Sequence, residues 1–222
     1  MTHPSQSPSC NICGGRVFVD FSKRVGVMCA ACRSLERTRI LKMALDDLDL
    51  QSGMRVIHFG PEVGIARHLR RLLGNGYEPC DLDPARYAAD IGTRRFDLVE
   101  EAEFLPDEHY DLVIHIHVME HLPCDVTAVL WHLHRSLKKT GKQIFAVPIF
   151  GGHYACSFAP MSDDERTKLF AQNDHMRRYG REDIARTLGL VFELPEPDAE
   201  AQYGSKRLIQ HNIPPGSWKG WS

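Results

Sequence analysis

Apolar positions along the chain fall into short runs that end at glycine or at an acid, separated by stretches in which they recur at helical spacing. Val56-Ile57-His58-Phe59 stops at Gly60, the pattern of a buried strand entering a turn. Behind Gly64, the residues Ile65, Ala66, Leu69, Leu72 and Leu73 lie on one helical face, which predicts a helix over 65–73. Gly74-Asn75-Gly76 breaks it, and Tyr77 to Asp81 reads as a second strand ending in acid. Either Ala89-Asp90-Ile91 or Arg95-Phe96-Asp97-Leu98 supplies the third strand, and the second, ending at Asp97, is preferred. The run Leu112–Ile116 is the fourth strand. A helix from Val126 to Leu137 and a fifth strand over Gln143–Val147 follow. Arg181 to Leu188 reads as a further helix and Leu190 to Leu194 as a sixth strand, with at most a stub of a seventh at Leu208-Ile209 in a tail rich in proline and glycine. Strands alternating with helices predict an α/β fold, a Rossmann-like, doubly wound and mostly parallel sheet.

Ahead of the first sheet strand the pattern changes. Arg16 to Phe21 and Arg24 to Met28 alternate enough for a small hairpin, and it is flanked by Cys10, Cys13, Cys29 and Cys32 in the order C-x2-C-x15-C-x2-C. Two residues between cysteines allow a tight knuckle to aim both thiolates at one metal, and two knuckles complete a tetrahedral sulfur shell. The expectation is a zinc ribbon with a structural Zn2+ on these four cysteines. Disulfides are the competing use of the same residues, disfavoured in a chain that shows no export signal. Ser34 is placed to cap a connecting helix whose apolar face runs through Leu35, Leu41, Ala44, Leu45 and Leu48. The expected organisation is a disordered lead-in over 1–9, the ribbon over 10–33, the connecting helix over 34–52 and the main domain over 53–222.

The 222 residues suffice for one sizeable core and a small appendage. Hydrophobic residues make up 43% and charged residues 25%, and no run approaches the ~20 apolar residues of a membrane span, so a cytoplasmic protein without a membrane partner is expected. A formal net charge of −2 argues against a surface devoted to nucleic acid. Locally, Arg16, Lys23, Arg24, Arg33, Arg37, Arg39 and Lys42 outnumber Asp20 and Glu36, which keeps an RNA-contacting ribbon in view, although no aromatic residues are interleaved as stacking platforms.

The chemistry gathers at the ends of the predicted strands. Glycine after a first strand lets a ligand approach the backbone, and an acid closing the second accepts hydrogen bonds from ribose hydroxyls in dinucleotide-type folds. His117, Glu120 and His121 cluster where the fourth strand ends. Those three groups are enough for a metal, but with no second matched set of ligands the cluster is read as facing an organic ligand.

Taken together, Val56 to Gly64, Cys80-Asp81-Leu82-Asp83-Pro84, Leu105 to Ile114 and above all His117-Val118-Met119-Glu120-His121-Leu122-Pro123 followed by Leu133 to Gly141 resemble class I S-adenosylmethionine-dependent methyltransferases of the type 11-like group. The likeness covers roughly 53–195, and the ribbon with Ser34-Leu35-Glu36-Arg37 is similar to a zinc-ribbon-bearing branch. It implies that Gly60 and Gly64 line the methionine part of S-adenosyl-L-methionine, that Asp81 holds the ribose and Asp97 the adenine amine. His58, Pro61, Glu62, Leu82, Leu98 and His115 then lie alongside, and His117 borders the reacting methyl. His58 stands where such enzymes usually carry an acid, and Glu62 where they carry glycine. The implied reaction is in-line transfer to a small-molecule methyl acceptor, on oxygen or nitrogen, assisted by a histidine base. The candidate bases are His117, His153 and His175, the last oriented by Asp174; Arg177 and Arg178, beside Tyr179, would hold an anionic substrate. Methylation of RNA and non-catalytic binding of the cofactor are the rival readings.

Overall fold

The computed structural model describes residues 7–194 and 198–215, and these divide into two compact units. The first takes residues 7–52, 62–74 and 198–215; the second takes 53–61 and 75–194. The cut expected at 52/53 is therefore crossed twice, because the helix after the first sheet strand and the C-terminal helices cluster with the cysteine-bearing segment. Most of the expected lead-in, residues 1–6, and Pro195 to Pro197 of the tail lie outside the described residues, as does everything after 215.

In chain order, β1 (Phe18–Phe21) and β2 (Arg24–Cys29) form an antiparallel hairpin, as the alternation predicts. Helix α1 (Glu36–Asp46) follows, then β3 (Val56–Phe59), α2 (Val63–Leu73), β4 (Tyr77–Asp81) and the two-residue β5 (Arg94–Arg95). One helical turn, α3 (Leu98–Glu101), precedes β6 (Tyr110–Ile116), α4 (Val126–Arg135) and β7 (Leu137–Ala146). The short strands β8 (Ile149–Phe150), β9 (Ala155–Cys156) and β10 (Arg177–Gly180) enclose α5 (Asp163–Phe170). Helices α6 (Ala199–Tyr203) and α7 (Ser205–Gln210) close the described chain.

Five strands of the second unit form a sheet in the order β5-β4-β3-β6-β7, with every neighbouring pair parallel. Numbered one to five in chain order, these strands lie in the order 3-2-1-4-5. It reverses direction between β3 and β6, and ligands bind outside the carboxyl ends of the strands at such a switch point. Val56–Phe59 is buried throughout, as expected of a strand covered on both faces. Ile57, Phe59, Val113, Val129, Leu130 and Leu133 share one apolar cluster that fastens α4 to the sheet.

Several sequence expectations shift. The strand expected over 190–194 is absent from the described residues: Val191 and Phe192 both donate their amides to Leu188 O in a tight turn, and the Phe192 ring packs on Phe145 at 4.8 Å. The apolar run therefore serves packing without a ladder. The expected helix over 181–188 is a 3-10 stretch interrupted at Asp183. The Leu208-Ile209 stub lies inside α7, where Leu208 is buried with Ile40, Met43, Ala199, Tyr203 and Ile213 in the first unit's own cluster. Helix α4 ends at Arg135, two residues early, because Ser136 O accepts the amides of His109 and Tyr110 and draws the chain into β7. Ser34 does not cap α1, whose N-cap is Leu35; its hydroxyl turns instead to the cysteines.

Candidate functional site

In the first unit the two knuckles close as their spacing demands. Cys10 N donates to Gly15 O at 2.8 Å, and Arg33 N donates to Cys29 O at 2.8 Å. The Cys10 and Cys32 sulfurs lie 3.6 Å apart, as do those of Cys13 and Cys29, and all four fall within 4.8 Å of one another. A tetrahedral shell with Zn–S bonds of about 2.3 Å has edges of about 3.8 Å, so the cluster fits zinc. A Cβ on Gly15 would meet Cys29 Sγ at 3.1 Å and Cys13 Sγ at 3.3 Å, which explains glycine there. The Cys32 thiol and the Ser34 hydroxyl beside it pull Cys10 below the ordinary thiol range. The buried Arg39 guanidinium lies near these sulfurs. It donates to Ser34 O at 2.7 Å, Val27 O at 2.9 Å and Asn212 O at 2.8 Å, and burial lowers its pKa. A buried cation offsets the net negative charge that four thiolates leave on a divalent ion. This placement also weakens the RNA reading. Arg39 is buried, Lys42 is nearly so and pairs with Asp46, and Arg24 pairs with Glu36 at 2.8 Å, so three of the seven basic residues are committed internally.

In the second unit, the ends of β3, β4 and β6 form the crevice side of the switch point. Gly60 leaves β3 with φ +61, donates to Cys80 O at 3.0 Å, and has Val118 so close that a Cβ would meet its Cγ2 at 3.1 Å. Asp81 ends β4, accepting from Asp83 N at 2.9 Å and from the Tyr87 hydroxyl at 2.6 Å. Tyr87, which sequence reasoning passed over, thus holds the carboxylate in place. Phe96 N donates to Asp81 O at 3.0 Å, bringing the next acid alongside, and Asp97 caps α3 through Val99 N at 2.9 Å. Leu82 is exposed beside Asp81, whereas Leu98 is buried in the core.

The histidines separate into distinct roles. His58 is fully buried, with Nδ1 3.0 Å from the Tyr77 hydroxyl. His115, also expected beside the cofactor, lies in the core: its ring stacks on Phe145 at 5.3 Å, and burial drives its pKa down to about 3. His117 is partly exposed. It adopts a left-handed backbone, φ +54, an uncommon state for a residue with a side chain and one that clusters at functional sites. Its Nδ1 is 3.1 Å from Glu120 Oε1, and Glu120 itself is buried. His153 is exposed, with Asp183 at 3.6 Å.

The segment 174–179 departs most from expectation. Asp174 does not orient His175: its Oδ2 is 3.3 Å from His121 Nδ1. His175 is buried, Nδ1 is 3.0 Å from Phe170 O, and burial together with the neighbouring His121 keeps its pKa below the ordinary value. Arg177 is fully buried and donates to the carbonyls of Met119, Leu122 and Cys124, so its charge is spent on the turn after β6 and does not reach the surface to meet a substrate. Arg178, half-buried, donates to Gly151 O at 2.7 Å, and Tyr179 is buried against Tyr154. Glu62 and Gly64 belong to the first unit, where a Cβ on Gly64 would meet Ile12 Cγ2 at 3.0 Å; Pro61 ends the β3 segment of the second.

A family model described as a methyltransferase domain matches residues 29–189. Among solved structures, the chain is similar to an S-adenosylmethionine-dependent methyltransferase from Mesorhizobium loti, at 17% identity and TM-score 0.51 over 79% of this chain and 94% of that one. It is also similar to phosphoethanolamine N-methyltransferase 2 from Haemonchus contortus, solved with S-adenosyl-L-methionine, at 14% identity and TM-score 0.50 over 79% of this chain and 41% of that one. A third is coclaurine N-methyltransferase, at 10% identity and TM-score 0.50 over 96% and 74% of the two chains. At such identities these likenesses establish the fold alone. No curated protein matches the chain.

Proposed function

The chain belongs to the S-adenosylmethionine-dependent methyltransferase domain family, and from that footing we propose that the ends of β3, β4 and β6 bind the cofactor while His117 serves as base toward a small, anionic acceptor methylated on oxygen or nitrogen. When bound, S-adenosylmethionine supplies an electrophilic methyl on a sulfonium sulfur. Asp81, steadied by Tyr87 and the Asp83 amide, accepts from the ribose hydroxyls, and its two oxygens retain lone pairs for this. Gly60 keeps the backbone bare where the cofactor's amino-acid end would approach, and Asp97 supplies the acceptor for the adenine amine.

The observation that carries the base assignment is the His117–Glu120 pair. With a buried carboxylate accepting from Nδ1, the ring is held in the tautomer whose Nε2 can take a proton, and the left-handed backbone aims it from the end of β6. His175, with one nitrogen on a backbone carbonyl and its ring buried, is the weaker candidate, and Arg178 is the arginine left to meet an anion. In the first unit, the four-cysteine cluster is proposed to hold a structural Zn2+, on the fit of its sulfur separations.

Calorimetric titration of the full chain with S-adenosylmethionine tests the cofactor assignment, with micromolar binding expected and none expected in a failed reading. Incubating the chain with methyl-labelled cofactor and either a small-molecule cell extract or total RNA then separates acceptor classes. Label in the small-molecule fraction supports the reading; label retained on RNA overturns it.

A further inference from the structure

The turn after β6 and the segment leading into β10 bring together three metal-ligating side chains that the proposed methyl transfer does not use as a set. Glu120, His121 and His175 each offer a ligand atom, and these atoms lie within 4.8 Å of one another. Glu120 and His175 are buried, at 1% exposure each. Among the described residues no hydrogen-bond partner meets Glu120 Oε2 or His175 Nε2. A buried carboxylate oxygen and a buried imidazole nitrogen left without partners cost free energy on the order of 1–3 kcal/mol each, so a native protein places them for a reason.

We propose that Glu120, His121 and His175 form a binding site for a divalent cation, separate from the four-cysteine cluster. Two imidazoles and one carboxylate suit first-row ions such as Mn2+, Fe2+ or Zn2+, and three protein ligands leave coordination positions open, unlike the closed sulfur shell. The surroundings have the form such sites take. Each ligating histidine ordinarily donates its second ring N–H to a carboxylate or backbone carbonyl, which fixes the tautomer and frees the other nitrogen. Here His175 Nδ1 lies 3.0 Å from Phe170 O, and His121 Nδ1 lies 3.3 Å from Asp174 Oδ2. Glu120 Oε1 is held by His117 at 3.1 Å, leaving Oε2 for the ion.

The frame around the three is stiff. Arg177 ties down the turn through the carbonyls of Met119, Leu122 and Cys124, Met176 N donates to Glu120 O at 2.8 Å, and Arg166 donates to His175 O at 3.2 Å. These ties pre-arrange the ligands before any ion arrives, so binding orders little that is not already ordered.

The test uses Mn2+ alone as probe, because it favours nitrogen and oxygen over thiolate, with the full chain carrying zinc on its cysteines. Electron paramagnetic resonance and calorimetry should show one saturable Mn2+ site. Affinity should fall at least tenfold in Glu120→Gln and in His121→Asn, and stay within twofold in His134→Gln, an exposed histidine on α4 away from the cluster. His121 is partly exposed, so His121→Asn carries the test if the buried Glu120 variant loses its circular dichroism signature. Absence of saturable binding at millimolar Mn2+, or equal affinity in wild type and both cluster variants, overturns the proposal. Because ion binding is read without methyl transfer, either result leaves the cofactor reading intact.

Discussion

The four-cysteine cluster of the first unit and the Glu120–His121–His175 cluster of the second are both sets of metal-ligating side chains within 4.8 Å of one another, yet they come about differently. Each cysteine knuckle is a local turn: two residues separate its sulfurs, and the β1–β2 hairpin brings the knuckles together over a short loop. The spacing alone therefore specifies the geometry. The second cluster joins a turn after β6 to a segment more than fifty residues later, entering β10, and is held by the Arg177 side chain and the Met176 amide, both donating to backbone carbonyls of that turn. No spacing encodes that meeting. The units differ also in what supports them. A sheet with a large apolar cluster stands behind the second site, whereas the hairpin of the first unit has little of its own, Val17 and Val25 being exposed.

The sharpest way to break this contrast is to remove the metal proposed for the four cysteines. Chelation, or Cys10→Ser, should release zinc and destabilise the hairpin by several kcal/mol, since structural zinc in small domains contributes on the order of 10 kcal/mol. Hydrogen exchange should then show lost protection over β1 and β2 with the five-stranded sheet retained; equal protection before and after would show that the hairpin stands without metal.

In the second unit, changes at the site should cost rate before stability. His117→Ala should lower kcat by about 10²–10⁴ with cofactor affinity within twofold, as removal of a general base does. A matching loss of cofactor affinity would make His117 a cofactor ligand instead.

Acid probes the core beneath the site. His115 has a folded pKa of about 3, below the ordinary imidazole value, so the unfolded chain binds its proton first and stability present above about pH 6.5 is lost as pH falls toward 3. Between pH 6.5 and 5 the loss from this residue is roughly 2 kcal/mol. His68 and His175, lowered by burial in the same direction, add to the slope. Thermal melts across this range should show it, and His115→Phe should make it shallower; an unchanged slope would remove His115 as its source.

The smallest effect is expected at the crevice acid. Asp81→Ala should weaken S-adenosylmethionine binding at least tenfold, about 1.4 kcal/mol, in calorimetric titration. Unchanged affinity would show that the ribose lies elsewhere.

The first, second and fourth strands of the sheet, the hairpin and the gathering of the four cysteines were legible in the chain, because each depends on side-chain periodicity or on short turns; the third strand shrank to Arg94–Arg95, and the fifth began at Leu137 rather than Gln143, since ladder pairing with a neighbouring strand set their bounds. Gly60 and Asp81 stand at strand ends, as the order of strands implied, whereas Asp97 ends no strand and caps α3 instead. The run 190–194 misled because apolar β-branched and aromatic residues packing on a core have the same signature as a strand. Arg177 misled in the opposite sense: an arginine pair in a polar segment reads as a surface device, and nothing in its neighbours signals that the carbonyls of a distant turn await it. Asp174 beside His175 suggested a pair, but adjacent residues diverge, and the carboxylate reached His121.

By itself, then, the order of residues determined where most sheet strands and the hairpin lie and which four thiols gather, since short-range sterics and burial periodicity settle those matters locally. Tertiary structure alone decided which histidines are buried and which are partly exposed, which arginines are spent on carbonyls, and that Glu120 and His121 meet His175. Those outcomes depend on loop paths and on the desolvation of particular atoms, and both are properties of the packed chain.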